Sequence, residues 1–88
     1  MTRVGVRIRG RVQGVFFRAE ARARAESLGV AGWIRNADDG SVEAVFEGDD
    51  EQLESMVEWC RRGPAGARVD EVEVGREEPA GEIGFQFR

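Results

Sequence analysis

The chain has no histidine, no tyrosine and no lysine, one cysteine (Cys60) and two prolines. Without His or Tyr, usual side chains for general-base or nucleophilic phosphate chemistry are missing. A lone cysteine rules out an internal disulfide and a cysteine-built metal site. No apolar run approaches the roughly 18 residues that a membrane helix needs. Met1-Thr2-Arg3-Val4 passes straight into a charged segment, so no secretory signal is expected and a cytoplasmic location is. What remains is ordinary for one small folded domain spanning residues 1–88, with 41% hydrophobic and 34% charged residues.

Charge is unevenly spread. Residues 1–36 balance to +6 and residues 37–88 to −10, and every basic residue is arginine. A basic first half suits an anion site, although solvated strand and helix faces are also often charged. Within that half lies Gly10-Arg11-Val12-Gln13-Gly14-Val15-Phe16-Phe17-Arg18, between an alternating strand (Val4, Val6, Ile8 against Arg3, Arg7, Arg9) and an Ala/Arg/Glu helix. Gly10 and Gly14 allow the backbone to curl so that successive N–H groups turn inward. The first N–H groups of the helix have no internal acceptor and carry partial positive charge. With the planar donor fork of Arg18, they make a cradle suited to phosphate. It lacks the Gly-Lys-Ser/Thr ending of nucleotide-binding loops. Glycines between strand and helix also serve plain turn chemistry, so the spacing alone leaves both readings open.

The helix is expected over about Arg18 to Leu28, with Ala21, Ala25 and Leu28 continuing the stripe from Phe17 and with Glu20–Arg24 and Arg22–Glu26 pairs. Gly29 ends it. A strand over Ala31–Ala37 follows, then an Asp38-Asp39-Gly40 turn and a strand over Ser41–Glu47. Asp49 and Gln52 form a capping box for a second helix. Its Leu53, Met56, Val57 and Cys60 share one face, with Trp59 half-buried beside them. Cys60 reads as a buried small hydrophobe. Gly63-Pro64 stops the helix. A fourth strand, Arg68–Arg76, and a short last strand with Ile83, Phe85 and Phe87 complete the chain. The order β-α-β-β-α-β with an extra C-terminal strand predicts an α+β ferredoxin-like sandwich, two helices on one face of an antiparallel-type sheet.

In that topology the first two strands run parallel with the third between them, so both end on one edge. Asn36, near the end of the second, should stand close to the cradle and its Arg18. A neutral amide there can both donate to and accept from a water, or it can cap the following turn. No general base, nucleophile or metal cluster accompanies these residues, because Asp38/Asp39 and Asp49/Asp50 have turn and capping roles. An enzyme built here must work by positioning and charge stabilisation, which suits a phosphoryl group whose leaving group departs unaided. A carboxylate is such a group and an alkoxide is not, so acyl phosphates are favoured over phosphate monoesters.

With Val12-Gln13-Gly14-Val15-Phe16-Phe17-Arg18, Gly32-Trp33-Ile34-Arg35-Asn36, Asp39-Gly40-Ser41-Val42-Glu43, Gly63-Pro64 and Phe85-Gln86-Phe87 in place, the chain resembles the acylphosphatase family over nearly its whole length. The resemblance implies metal-free hydrolysis of acyl phosphates to a carboxylate and inorganic phosphate. It implies Arg18 and Asn36 as catalytic residues, with the phosphate held by the backbone of Gln13, Gly14, Val15, Phe16 and Phe17. Asn36 would orient the attacking water, and the substrate's own phosphate oxygen would take its proton. No cofactor, metal, nucleic acid or membrane partner is expected, and the chain is expected to act as a monomer. Ala37 departs from the pattern, since a small hydroxyl residue is common after the asparagine. Two other classes stay open at this point: a non-catalytic anion-binding module, and an RNA binder, which the missing RNP1 pattern and the overall acidity oppose.

Overall fold

The computed structural model describes residues 1–88. Seven elements follow in order: β1 (Thr2–Arg11), α1 (Phe17–Leu28), β2 (Ala31–Asn36), β3 (Val42–Gly48), α2 (Asp50–Arg62), β4 (Arg68–Glu77) and β5 (Phe85–Phe87). The sheet order is β4-β1-β3-β2-β5. β3 lies antiparallel to both β1 and β2, so β1 and β2 run parallel and end on one edge. This is the ferredoxin-like arrangement, with the split β-α-β unit in the expected register. One refinement concerns β5, which pairs parallel to β2 with Ile34 opposite Phe87. The antiparallel-type sheet is therefore mixed. No helix is long and apolar enough to cross a membrane.

Strand alternation divides the sheet into two faces. Val6 and Ile8, Val42, Ala44 and Phe46, Ile34, and Phe85 point toward the helices and form the core. α1 contributes Phe17, Ala21 and Ala25, whose small side chains let the helix lie close to the sheet. α2 contributes Leu53, Met56, Trp59 and Cys60. Trp59 was expected half-buried; it is buried, because Phe17 meets it edge-to-face with ring centroids 5.2 Å apart. Gln52 accepts from the Asp49 N–H at 2.8 Å and donates to the Leu28 carbonyl at 2.7 Å, tying the start of α2 to the end of α1. Of the two expected ion pairs on α1, Arg22–Glu26 forms at 3.4 Å and Glu20–Arg24 does not.

The other face carries the charge. Arg3 binds Glu47, Glu77 and Glu82; Arg7 binds Asp39 and Glu43; Arg9 binds Asp39, Glu71 and Glu73. The basic strand of the first half is thus spent on acids of the second, on the side of the sheet away from the helices. Charge asymmetry along the chain reflects this cross-strand pairing more than an anion site.

Candidate active site

The site begins where β1 leaves the sheet. Gly10 does not curl the loop, contrary to expectation. It sits at a register shift between β1 and β4 with φ 135°, where a Cβ would collide with the Arg68 carbonyl. The curl begins at Gly14, φ 74°, where a Cβ would meet nothing and only the dihedral calls for glycine. Two residues on, Phe16 takes φ 63° and ψ 22°, the one non-glycine residue with positive φ. A bulky residue in this conformation is a genuine outlier, and such outliers concentrate at functional sites.

Left-handed residues on either side of Val15 give a concave run of amides. No backbone N–H from Gly14 through Ala19 donates to any acceptor in the chain. The first that does is Glu20, to the Phe16 carbonyl at 3.1 Å. Phe16 occupies the N-cap of α1 and supplies no side-chain cap, whereas α2 is capped through Asp49 and Gln52. The first donors of α1 are therefore left without an acceptor, the condition under which a helix N-terminus can receive an anion.

Arg18, in the first turn of α1, makes no ion pair; its guanidinium carbon lies 5.9 Å from the centroid of the Phe87 ring. Asn36 has the same parity on β2 as Ile34, which puts it on the helix side, and its side chain makes no hydrogen bond within the chain. It does not cap the following turn, where Asp39 accepts from the Ser41 N–H at 2.9 Å and the Ser41 hydroxyl at 2.6 Å. Those bonds, with Arg7 and Arg9 nearby, draw the Asp39 carboxyl down to about 2.

Arg18 and Asn36 line one pocket of about 330 Å³, with Gly14, Phe16 and Phe17 of the loop, Val12, Ala19 and Phe87. Gln13 and Val15 do not line it. Gln13 instead turns its side chain to the Ala37 and Ser41 carbonyls, at 2.8 and 2.9 Å, and so fastens the loop to the turn after Asn36. Sequence reading missed that bond and missed Phe87, whose alternation with Phe85 was visible but whose place beside β2 depends on a non-local pairing. Cys60 is fully buried away from this pocket, and burial pushes its thiol up to about 12, which fits a packing role. No cluster of three or more His, Cys, Asp or Glu side chains is arranged to hold a metal ion.

The arrangement offers backbone donors, one unpaired cation and one neutral amide around a single cavity. Comparison with known proteins gives this geometry a family context. A family model for acylphosphatase matches residues 4–87. An acylphosphatase of Haloarcula marismortui is 55% identical over 87 residues, covering 99% of this chain and 96% of the relative. One of Rubrobacter xylanophilus is 58% identical over 88 residues, covering 98% and 79%. The crystal structure of acylphosphatase from Bacillus subtilis superposes with a TM-score of 0.96 at 34% identity, covering 100% of this chain and 99% of that one.

Proposed function

The chain belongs to the acylphosphatase family, and from that premise we propose that Arg18 and Asn36 are its catalytic pair. An acylphosphatase is a hydrolase whose substrate is an acyl phosphate and whose product is phosphate, and this chain is such an enzyme. The observation that carries the residue assignment is the shared pocket: an arginine with no ion pair and an asparagine with no internal partner, beside amides with no acceptor.

In this reading the phosphoryl oxygens rest on the N–H groups of the 13–17 loop, chiefly those of Gly14, Phe16 and Phe17, and on the Arg18 guanidinium. Preorganised donors of this kind stabilise charge as it develops without reorganising. Asn36 accepts from and donates to a water, holding it opposite the acyl oxygen. The water oxygen bonds to phosphorus as the phosphorus–oxygen bond to the acyl group breaks, and its electron pair leaves with the carboxylate. The water's proton passes to a phosphoryl oxygen of the substrate. Because a carboxylate leaves without protonation, the step asks for no general acid, and the arginine and amides supply the charge neutralisation that a metal ion otherwise gives.

The same reading takes residues 1–88 as one catalytic domain acting as a cytoplasmic monomer, independent of cofactors, nucleic acid and membranes. Binding and chemistry separate in a single experiment. Inorganic phosphate raises the thermal midpoint of the wild type by mass action. Asn36→Ala keeps that rise while losing about 10²–10³ in turnover, and Arg18→Ala loses both. An Asn36→Ala enzyme of wild-type rate, or an Arg18→Ala protein still raised fully by phosphate, overturns the assignment.

A further inference from the structure

The Asn36 side chain makes no hydrogen bond within the chain, so its backbone alone decides where the amide stands. Asn36 is the last residue of β2, paired with Val42, and the chain turns back over residues 37–41. Ala37, next in line, has no side-chain donor or acceptor with which to brace that turn. We propose that Asp39 is the positioning residue for Asn36, setting where its amide stands relative to the 13–17 loop. The inference rests on the reading of Arg18 and Asn36 as the catalytic pair.

Asp39 works in two directions. Inside the turn, one carboxylate oxygen accepts from the Ser41 N–H at 2.9 Å and from the Ser41 hydroxyl at 2.6 Å. Outside it, the other oxygen lies 3.4 Å from Arg7 and 3.3 Å from Arg9, both on β1. Arg7 also donates to the Ser41 hydroxyl at 2.8 Å, which closes a ring of three side chains. The turn is thereby strapped to β1, the strand that leads into the loop. Ser41 is buried, so its two bonds to Asp39 are sheltered from water, whereas the arginine contacts are partly exposed and add less.

From there the restraint reaches the site through two carbonyls. The Ser41 carbonyl accepts from the Ala37 N–H at 2.8 Å, and the Ala37 carbonyl accepts from the Gly40 N–H at 3.2 Å. Gln13 donates to both, so loop and turn share one anchorage. When Asp39 lets go, Ser41 and Ala37 shift together, and Asn36 shifts with them.

Charge and position predict opposite results. By charge alone, removing an acid favours an anionic substrate. Removing a positioning residue instead lowers kcat, by about ten- to hundred-fold for a displacement near 1 Å.

The test measures acetyl phosphate turnover, and the rise in thermal midpoint on adding inorganic phosphate, in wild type, Asp39→Ala, Asp39→Asn and Asp38→Ala. Asp38 is exposed, makes no hydrogen bond or ion pair through its side chain, and carries the same charge one residue away. Asp39→Ala loses about ten-fold or more in kcat and keeps the phosphate rise. Asp39→Asn, whose carbonyl can still accept from the Ser41 N–H, loses less, and Asp38→Ala keeps the wild-type kcat. In an Asn36→Ala background Asp39→Ala lowers kcat no further, because no amide is left to place. An Asp39→Ala enzyme of wild-type kcat, one that has lost the phosphate rise, or one whose loss is the same with and without Asn36 overturns the positioning role. So does an Asp38→Ala enzyme that falls as far. Each of these leaves the catalytic pair standing, whereas an Asn36→Ala enzyme of wild-type rate overturns the pair and this inference with it.

Discussion

The Gln13 side-chain amide donates to the Ala37 carbonyl at 2.8 Å, so the 13–17 loop is fastened to the residue that follows Asn36. The same nitrogen reaches the Ser41 carbonyl at 2.9 Å. Both acceptors keep a second donor, the Gly40 N–H for Ala37 and the Ala37 N–H for Ser41. Removing the amide therefore orphans neither carbonyl.

Gln13→Leu should cost only about 1 kcal/mol in stability but about ten- to hundred-fold in kcat, because a displacement near 1 Å between catalytic groups has that effect. Gln13→Glu, close in shape but unable to donate when ionised, should fall as far. Steady-state rates beside denaturant midpoints check this; a large stability loss with unchanged kcat contradicts it.

Glu47 gives the fold an acid limit. Its carboxylate is buried and accepts from the Ala80 N–H at 2.7 Å, the Arg3 guanidinium at 2.9 Å and the Glu82 N–H at 2.8 Å. Burial alone would raise its pKa; the Ala80 amide, the Arg3 guanidinium and the Glu82 amide outweigh it and hold the group at about 2, against 4.5 for an ordinary Glu. A pKa depressed on folding adds stability that is fully present above the unfolded value and is lost as pH falls from about 4.5 toward 2. Denaturation midpoints should decline across that window and much less so in Glu47→Gln. The variant should be destabilised at pH 7 by about 3 kcal/mol, since the buried donors lose a charged partner. Asp39, held low by the Ser41 hydroxyl and N–H, adds a contribution of the same sign.

Two glycines, Gly14 of the loop and Gly10 of β1, should respond differently. Gly14→Ala meets no neighbour and should cost about 1–2 kcal/mol of backbone strain, with weaker phosphate binding. Gly10→Ala drives a Cβ into the β4 backbone and should cost more than about 3 kcal/mol. Equal denaturant midpoints for the two variants would contradict this.

Local signals in the chain made much of this legible. The stripes of Phe17-Ala21-Ala25 and Leu53-Met56-Cys60, the Asp49/Gln52 box and Gly29 each encode an element from neighbouring residues alone, and the shared direction of β1 and β2, with β3 between them, followed from their order. What escaped depends on distant partners. Gly10 looks like a loop glycine until β4 passes against it. The arginines of β1 look like an anion-attracting surface until Glu43, Glu71, Glu73 and Glu77 lie across from them. Phe87 looks like an ordinary strand residue until β5 joins β2. Phe16 in a left-handed conformation has no signature in composition, because the site and not the residue type imposes it.

Buried Cys60 should be inert in the folded enzyme. With its thiol raised to about 12 by burial, an alkylating reagent at pH 8 should label it only as fast as the core opens. Rapid stoichiometric labelling of folded protein would contradict this.

The central claim, that Arg18 and Asn36 act as one unit over a shared pocket without a metal ion, is tested most directly by acetyl phosphate turnover in a chelator. Wild type, Arg18→Ala, Asn36→Ala and the double variant are compared. The account predicts full wild-type activity, a loss of about 10² or more in each single variant, and little further loss in the double, as for groups that serve one step together. Wild-type-like rates in both single variants, or a wild type silenced by the chelator, would contradict it.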